Sequence, residues 1–91
     1  SRMNGLVIFE REQLRGALEK MGFFVLPSHS NFLFAKSNSL SGGKVYAGLK
    51  ERGVLVRWFD KPKISDFVRI TVGSAEENEK LLEALKDLLG R

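Results

Sequence analysis

The stretch from Phe67 to Gly90, FVRITVGSAEENEKLLEALKDLLG, changes its apolar period in mid-run, and that change constrains the fold more than any other feature of the chain. Val68, Ile70 and Val72 alternate with other residues, as a strand with one buried face requires. Beyond Gly73 the spacing lengthens, and Leu81, Leu85 and Leu88, flanked by Leu82, Ala84 and Leu89, form one helical stripe. Between the two patterns Ser74 and Glu77 have the S-x-x-E spacing of a capping box, in which hydroxyl and carboxylate each satisfy an unpaired backbone N–H. Gly90 suits the left-handed position that closes many helices. A strand that runs through a capped turn into an amphipathic helix commits the chain to a mixed architecture.

The same punctuation recurs upstream. Leu14, Ala17, Leu18 and Met21 share a helical stripe within residues 9–21, and Gly22 stops it. FFVLP is strand-like and ends at Pro27, which cannot donate to a ladder. Residues 31–36, NFLFAK, make a second strand with Phe32 and Phe34 on one face and Asn31, Leu33 and Ala35 on the other. SNSLSGG reads as a loop, residues 44–52 as a helix closed by Gly53, and VLVRWF, residues 54–59, as a third strand. The order α-β-β-α-β-β-α predicts an α+β fold: a small, largely antiparallel sheet with helices packed on one face.

At 91 residues the chain supports one domain, residues 1–91, and one modest core. Residues 1–8 read as an expression remnant or an interdomain segment. With 43% hydrophobic and 29% charged residues, the composition is that of an ordinary globular protein. The absence of cysteine removes disulfides, thiolate metal sites and cysteine nucleophiles, and fits a cytoplasmic location. No apolar run approaches the roughly 20 residues of a membrane span, so no membrane role is expected. The net charge of +4 is spread widely: Arg11, Arg15 and Lys20 alternate with Glu10, Glu12 and Glu19 as on a solvated helix face. Solubility accounts for most of that charge, and an anionic ligand is the next explanation.

Strand alternation leaves Phe67, Arg69 and Thr71 on the side away from the helices, and in the preceding strand Leu55 and Arg57. Two arginines therefore share an open sheet face with apolar neighbours: either both guanidiniums are simply solvated there, or the mixed face is a partner surface or ligand wall. The guanidinium's planar fork binds a carboxylate or phosphate through two parallel hydrogen bonds and keeps its charge. Asn31 opens its strand after a proline turn, where its side chain either caps the turn or faces a ligand with the arginines. His29 is the only histidine and has no second imidazole for a metal site. No carboxylate pair, nucleophile elbow or complete glycine-rich phosphate loop stands out. The residues alone give no catalytic apparatus. Phe32 and Phe34, with the basic charge, leave open a second reading as a small RNA-binding module, although glycine and basic residues beside the aromatics are only partly present.

Three blocks, LRGALEKMGFFVLPSHSNFLFAK, LKERGVLVRWFD and DFVRITVGSAEENEKLLEAL, together resemble the C-terminal small domain of fold type I aminotransferases that use pyridoxal phosphate, most like the histidinol-phosphate aminotransferase family. The resemblance implies that Arg69 holds a substrate carboxylate or phosphate and that Arg57 is its companion at the phosphate. It implies amino transfer between histidinol phosphate and 2-oxoglutarate in histidine biosynthesis, by a homodimeric enzyme. The resemblance also implies what this chain lacks: the lysine, aspartate and phosphate cradle that hold pyridoxal phosphate belong to a large domain expected before residue 1. No lysine here stands in the family's S-K-x-x-x-x-x-G-x-R setting. The chain by itself is therefore expected to bind no cofactor and to be inactive, with an anionic small molecule and that large domain as its partners and nucleic acid not among them.

Overall fold

A computed structural model of the chain describes residues 4–90. In chain order they form α1 (Gly5–Lys20), β1 (Phe23–Val25), β2 (Phe32–Ser37), α2 (Gly42–Glu51), β3 (Arg57–Trp58), β4 (Phe67–Thr71) and α3 (Ala75–Leu89). The predicted α+β order is the one observed, and the strands pair as β1-β2-β4-β3 with every pairing antiparallel.

Both faces of the sheet follow from its register. Val25 lies opposite Ala35, Ala35 opposite Val68, and Leu33 opposite Ile70, so these side chains form one continuous apolar surface. All five are buried, and against them pack Leu14 and Leu18 of α1, Val45 and Leu49 of α2, and Leu81 and Leu85 of α3. Each alternate residue of the same strands is left on the opposite side.

The end of α3 and its start are as the sequence predicts. Ser74 Oγ accepts from the Glu77 amide at 3.1 Å, and the Glu77 carboxylate accepts from the Ser74 amide at 2.9 Å. Gly90 closes the helix with φ of 76°. Gly22 also takes a left-handed conformation, φ 90°, and the Asn38 side chain lies so near that an added Cβ would come within 2.7 Å of it.

Elsewhere the boundaries move. The first helix starts at Gly5 rather than near residue 9, because the Asn4 side chain accepts from the Val7 amide at 2.9 Å and caps it. Gly5 to Ile8 of the segment read as a remnant or interdomain stretch are thus helical, whereas its residues 1–3 fall outside the described residues. The second helix takes in Gly42 and Gly43, read from sequence as loop; Ser41 caps it through the Lys44 amide at 3.3 Å. The third strand shrinks to Arg57 and Trp58. Val54, expected within it, instead donates its amide to the Leu49 carbonyl at 2.9 Å and finishes the exit from α2.

The helix-face arginines are not simply solvated. Arg11 is buried, pairs with Glu12 at 2.9 Å and donates to the Ser30 carbonyl at 3.3 Å. Arg15 donates to the carbonyls of Val25 and Leu26 at 3.3 and 3.1 Å. Both reach across from α1 to the end of β1 and the β1–β2 connection, where they donate to backbone carbonyls instead of pointing into solvent.

Candidate functional site

The local sequence Arg57-Trp58-Phe59 sets up the site. Trp58 lies opposite Val68 and therefore turns to the helix side. Its indole donates to the Ser65 carbonyl at 2.8 Å and stacks on Tyr46, ring centroids 6.0 Å apart. Glycine at 43 makes room for it, since a Cβ there would come within 3.1 Å of the indole. With Trp58 fixed inward, strand alternation sends Arg57 to the open face, and the structure brings Phe59 to the same side.

There Arg57 lies directly opposite Arg69 in the β3–β4 ladder, and Arg69 lies directly opposite Phe34 in the β2–β4 ladder. The Arg69 guanidinium carbon is 4.4 Å from the Phe32 ring centroid and 5.8 Å from that of Phe59. The Arg57 guanidinium carbon is 5.4 Å from the same Phe59 ring. Both cations are therefore held by aromatic faces, an arrangement worth about 0.5–1 kcal/mol per contact at exposed sites and more when water is excluded.

Neither arginine has a carboxylate partner among the described residues, whereas Arg11, Arg15 and Arg52 each have one. Arg69 Nε is buried without any hydrogen-bond acceptor. Like charges directly opposite each other destabilise a ladder, and a buried donor without an acceptor costs about 1–3 kcal/mol. Positive charge and an unmet donor on the same row create an electrostatic demand for an anion.

The next row carries a third cation. Lys36 pairs in register with Phe24 and Phe67, and its Nζ lies 5.9 and 5.6 Å from their ring centroids. The two rings meet edge to face at 6.4 Å. Cations and aromatic rings thus interleave across this side of the sheet, while the helix side is apolar.

The other sequence candidates fare differently. Asn31 is exposed and lies just before β2, out of phase with Phe32, Phe34 and Arg69. The turn-capping role considered for it is carried out by Ser28 and Ser30: Ser28 Oγ donates to the Phe32 carbonyl at 2.7 Å and Ser30 Oγ accepts from the Phe32 amide at 3.3 Å. What Asn31 does supply is a backbone carbonyl, which accepts from the Val72 amide at 2.8 Å and extends the β2–β4 pairing. Leu55 lies outside β3, is exposed, and lines a cleft of about 240 Å3 with Val56, Ile70, Thr71 and Asn78. His29 is exposed, and no group of acidic or histidine side chains suited to a metal occurs among the described residues.

Phe59, Lys36 and Phe24 escaped the sequence reading. For Phe59 the signal was present: a tryptophan flanked by arginine and phenylalanine at the end of an apolar run places its two neighbours together once the tryptophan is buried.

Pyridoxal phosphate needs an enclosed lysine for its aldehyde and an acid opposite its ring nitrogen. Every lysine of this chain is exposed, so its described residues do not form such a cradle. Phe32 and Phe34, the basis of the RNA reading, are half-buried, and Phe32 is covered by the Arg69 guanidinium, so it offers no free stacking platform.

Residues 1–85 match the family model "Aminotransferase class I and II". A histidinol-phosphate aminotransferase of Chromohalobacter salexigens is 49% identical over 80 residues, which are 88% of this chain and 23% of that protein. Histidinol-phosphate aminotransferase 1 of Bradyrhizobium diazoefficiens is 48% identical over 83 residues, 91% of this chain and 24% of that protein. The solved histidinol-phosphate aminotransferase of Clostridium acetobutylicum superposes with a TM-score of 0.84 at 28% identity, covering 93% of this chain and 27% of that one. The chain thus spans about a quarter of the length of the curated relatives it matches. Nothing in these matches favours a nucleic-acid module. With the family model covering nearly all of it, the chain belongs to the class I and II aminotransferases.

Proposed function

We propose that this chain is the substrate-recognition domain of a histidinol-phosphate aminotransferase, and that its open sheet face holds the substrate's anionic end. The single observation that carries the reading is the Arg57–Arg69 row: two guanidiniums in register, no carboxylate on either, and one buried donor without an acceptor. A phosphate or carboxylate supplies the missing acceptors and the missing charge together.

The roles follow from that geometry. Arg69, anchored in a central strand and half-buried, fixes the position of the anion; Arg57, on the edge strand and exposed, adds a second fork. The rings of Phe32 and Phe59 shield the Arg69 fork from water, which strengthens its charged hydrogen bonds. Asn31, exposed at the end of the β2–β4 pairing but out of phase with the arginine row, meets the ligand only where it runs past that end of the sheet. Pyridoxal phosphate, held by a large domain of the same enzyme, supplies the electron sink for amino transfer. The residues of this chain bind and orient: an anion held at one end of the substrate directs the amine at the other end toward the reacting centre.

The intact enzyme in this reading is a cytoplasmic homodimer acting in histidine biosynthesis, and its amino acceptor is 2-oxoglutarate. The described residues contain no helix long and apolar enough to cross a membrane, and the sequence has no cysteine.

Exchanging this chain for the matching segment of the Chromohalobacter salexigens relative provides the test. The chimera should transaminate histidinol phosphate, and Arg69→Ala in it should lower kcat/KM by about 30-fold to several thousand-fold, the effect of removing one partner of a desolvated charge pair. A folded, cofactor-loaded chimera whose kcat/KM is indifferent to Arg69→Ala would overturn the reading.

A further inference from the structure

The two arginines of the open face raise a question that their charge alone does not answer: what keeps them side by side before any anion arrives. Arg57 and Arg69 are direct cross-strand neighbours and repel each other. Arg57 is exposed and long, with many rotamers available in water. No carboxylate among the described residues restrains either one.

One ring touches both. Phe59 lies 5.4 Å from the Arg57 guanidinium carbon and 5.8 Å from that of Arg69. Phe59 is itself fixed from two sides. Trp58, its neighbour, is anchored on the opposite face through Ser65 and Tyr46. On the other side the Lys61 amide donates to the Phe59 carbonyl at 2.9 Å, a tight three-residue turn that sets the backbone direction. Phe59 lies outside the hydrophobic core cluster, so packing under the helices does not explain its place.

We propose that Phe59 is a positioning residue for the anion site: its ring gathers the Arg57 and Arg69 guanidiniums in the free protein, so that an incoming phosphate meets two forks already oriented. The inference rests on the reading of this face as an anion site and names the group that prepares it. Preorganisation of this kind raises affinity by reducing the side-chain ordering that binding would otherwise demand. Phe32 does the same for Arg69 alone, since only the Arg69 guanidinium lies over it.

The test uses the 91-residue protein with inorganic phosphate as the probe at low ionic strength, followed through the arginine Nε–Hε resonances. In the free protein Phe59→Leu should remove ring-current shifts from both Arg57 and Arg69, whereas Phe32→Leu should change Arg69 only. Phe59→Leu should weaken phosphate binding about threefold to tenfold, and Phe59→Trp, with the stronger cation–π face, should restore it. Because Phe59 is outside the core, the amide spectrum of these variants should keep the wild-type dispersion; if Phe59→Leu unfolds, the Phe59→Trp comparison still decides, since loss of affinity in a folded Trp variant contradicts the proposal. Unchanged affinity in Phe59→Leu beside normal wild-type binding overturns the positioning role alone. Failure of the wild-type protein to bind phosphate at all overturns both this role and the anion-site reading beneath it.

Discussion

The two faces of the sheet are built from alternate residues of the same strands, yet they obey opposite rules. On the helix side Leu33, Ala35, Val68 and Ile70 are almost wholly buried and carry no polar atom beyond the backbone. On the other side Phe34, Arg69 and Arg57 form a row in which charge is held by aromatic rings and one buried donor has no acceptor. The first face is complete and the second is not. A chain can therefore place a charged surface with an unmet donor one residue away from its most stable packing, because a period of two sends neighbouring side chains to opposite faces.

The contrast can be broken at the core first. Leu33→Ala should cost about 2–5 kcal/mol in a chemical denaturation experiment, since it empties a site with no exposed surface between the helices and the sheet. A loss below 1 kcal/mol would show that this face is not the one that carries stability.

A smaller effect is expected where the faces are tied to the last helix. Ser74→Ala removes one half of the capping box at the β4–α3 junction and should cost about 1 kcal/mol, read as a shift in the denaturation midpoint without a change in slope. Asn78 would hold the junction meanwhile: its side chain accepts from the Gly73 amide at 2.9 Å and donates to the Gly73 carbonyl at 3.1 Å.

The smallest change in stability belongs to the open face. Arg57→Gln should alter stability by less than about 0.5 kcal/mol, and in the stabilising direction at low salt, because it removes a like charge opposite Arg69 while giving up one exposed ring contact. A loss comparable to that of Leu33→Ala would mean that the arginine row is structural. A further expectation follows from the exposed lysines: after incubation with pyridoxal phosphate and reduction by borohydride, the 91-residue protein should carry no stoichiometric adduct at a single lysine. One fully labelled lysine would contradict the assignment of the cofactor site to another domain.

The sequence revealed the face division because strands report it directly. Val68, Ile70 and Val72 announced the core side, and Arg69 had to lie opposite; the same parity paired it with Arg57. The capping box and the glycine stops were equally legible, since each depends on residues a few positions apart. What stayed hidden depends on tertiary contacts. Gly42 and Gly43 are poor helix formers, yet they start α2 because Ser41 caps it, and Trp58 and Ser65 pack too closely there for larger residues. Val54 and Leu55 have a strand's composition, but the exit from α2 takes the Val54 amide and leaves only two residues to pair with β4. Asn31 had the right chemistry for a turn cap, and the neighbouring serines took that place. Arg11 and Arg15 followed a solvated pattern, yet both reach backbone carbonyls at the end of β1 and in the β1–β2 connection, a contact that depends on how α1 packs on the sheet. The aromatic support of the arginines was scattered over two segments, Phe32 and Phe34 in one and Phe59 in the other, and became a unit only through the register.

The central claim is that the row of Arg57 and Arg69 recognises the anionic end of the substrate, and a paired titration of the 91-residue protein tests it most directly. Histidinol phosphate and histidinol differ only in the phosphate. The account predicts that histidinol phosphate shifts the Nε–Hε resonances of Arg69 and Arg57 saturably, with Arg69 moving most, and that histidinol at the same concentrations leaves them in place. Equal responses to both compounds, or shifts confined to residues outside this face, would contradict it.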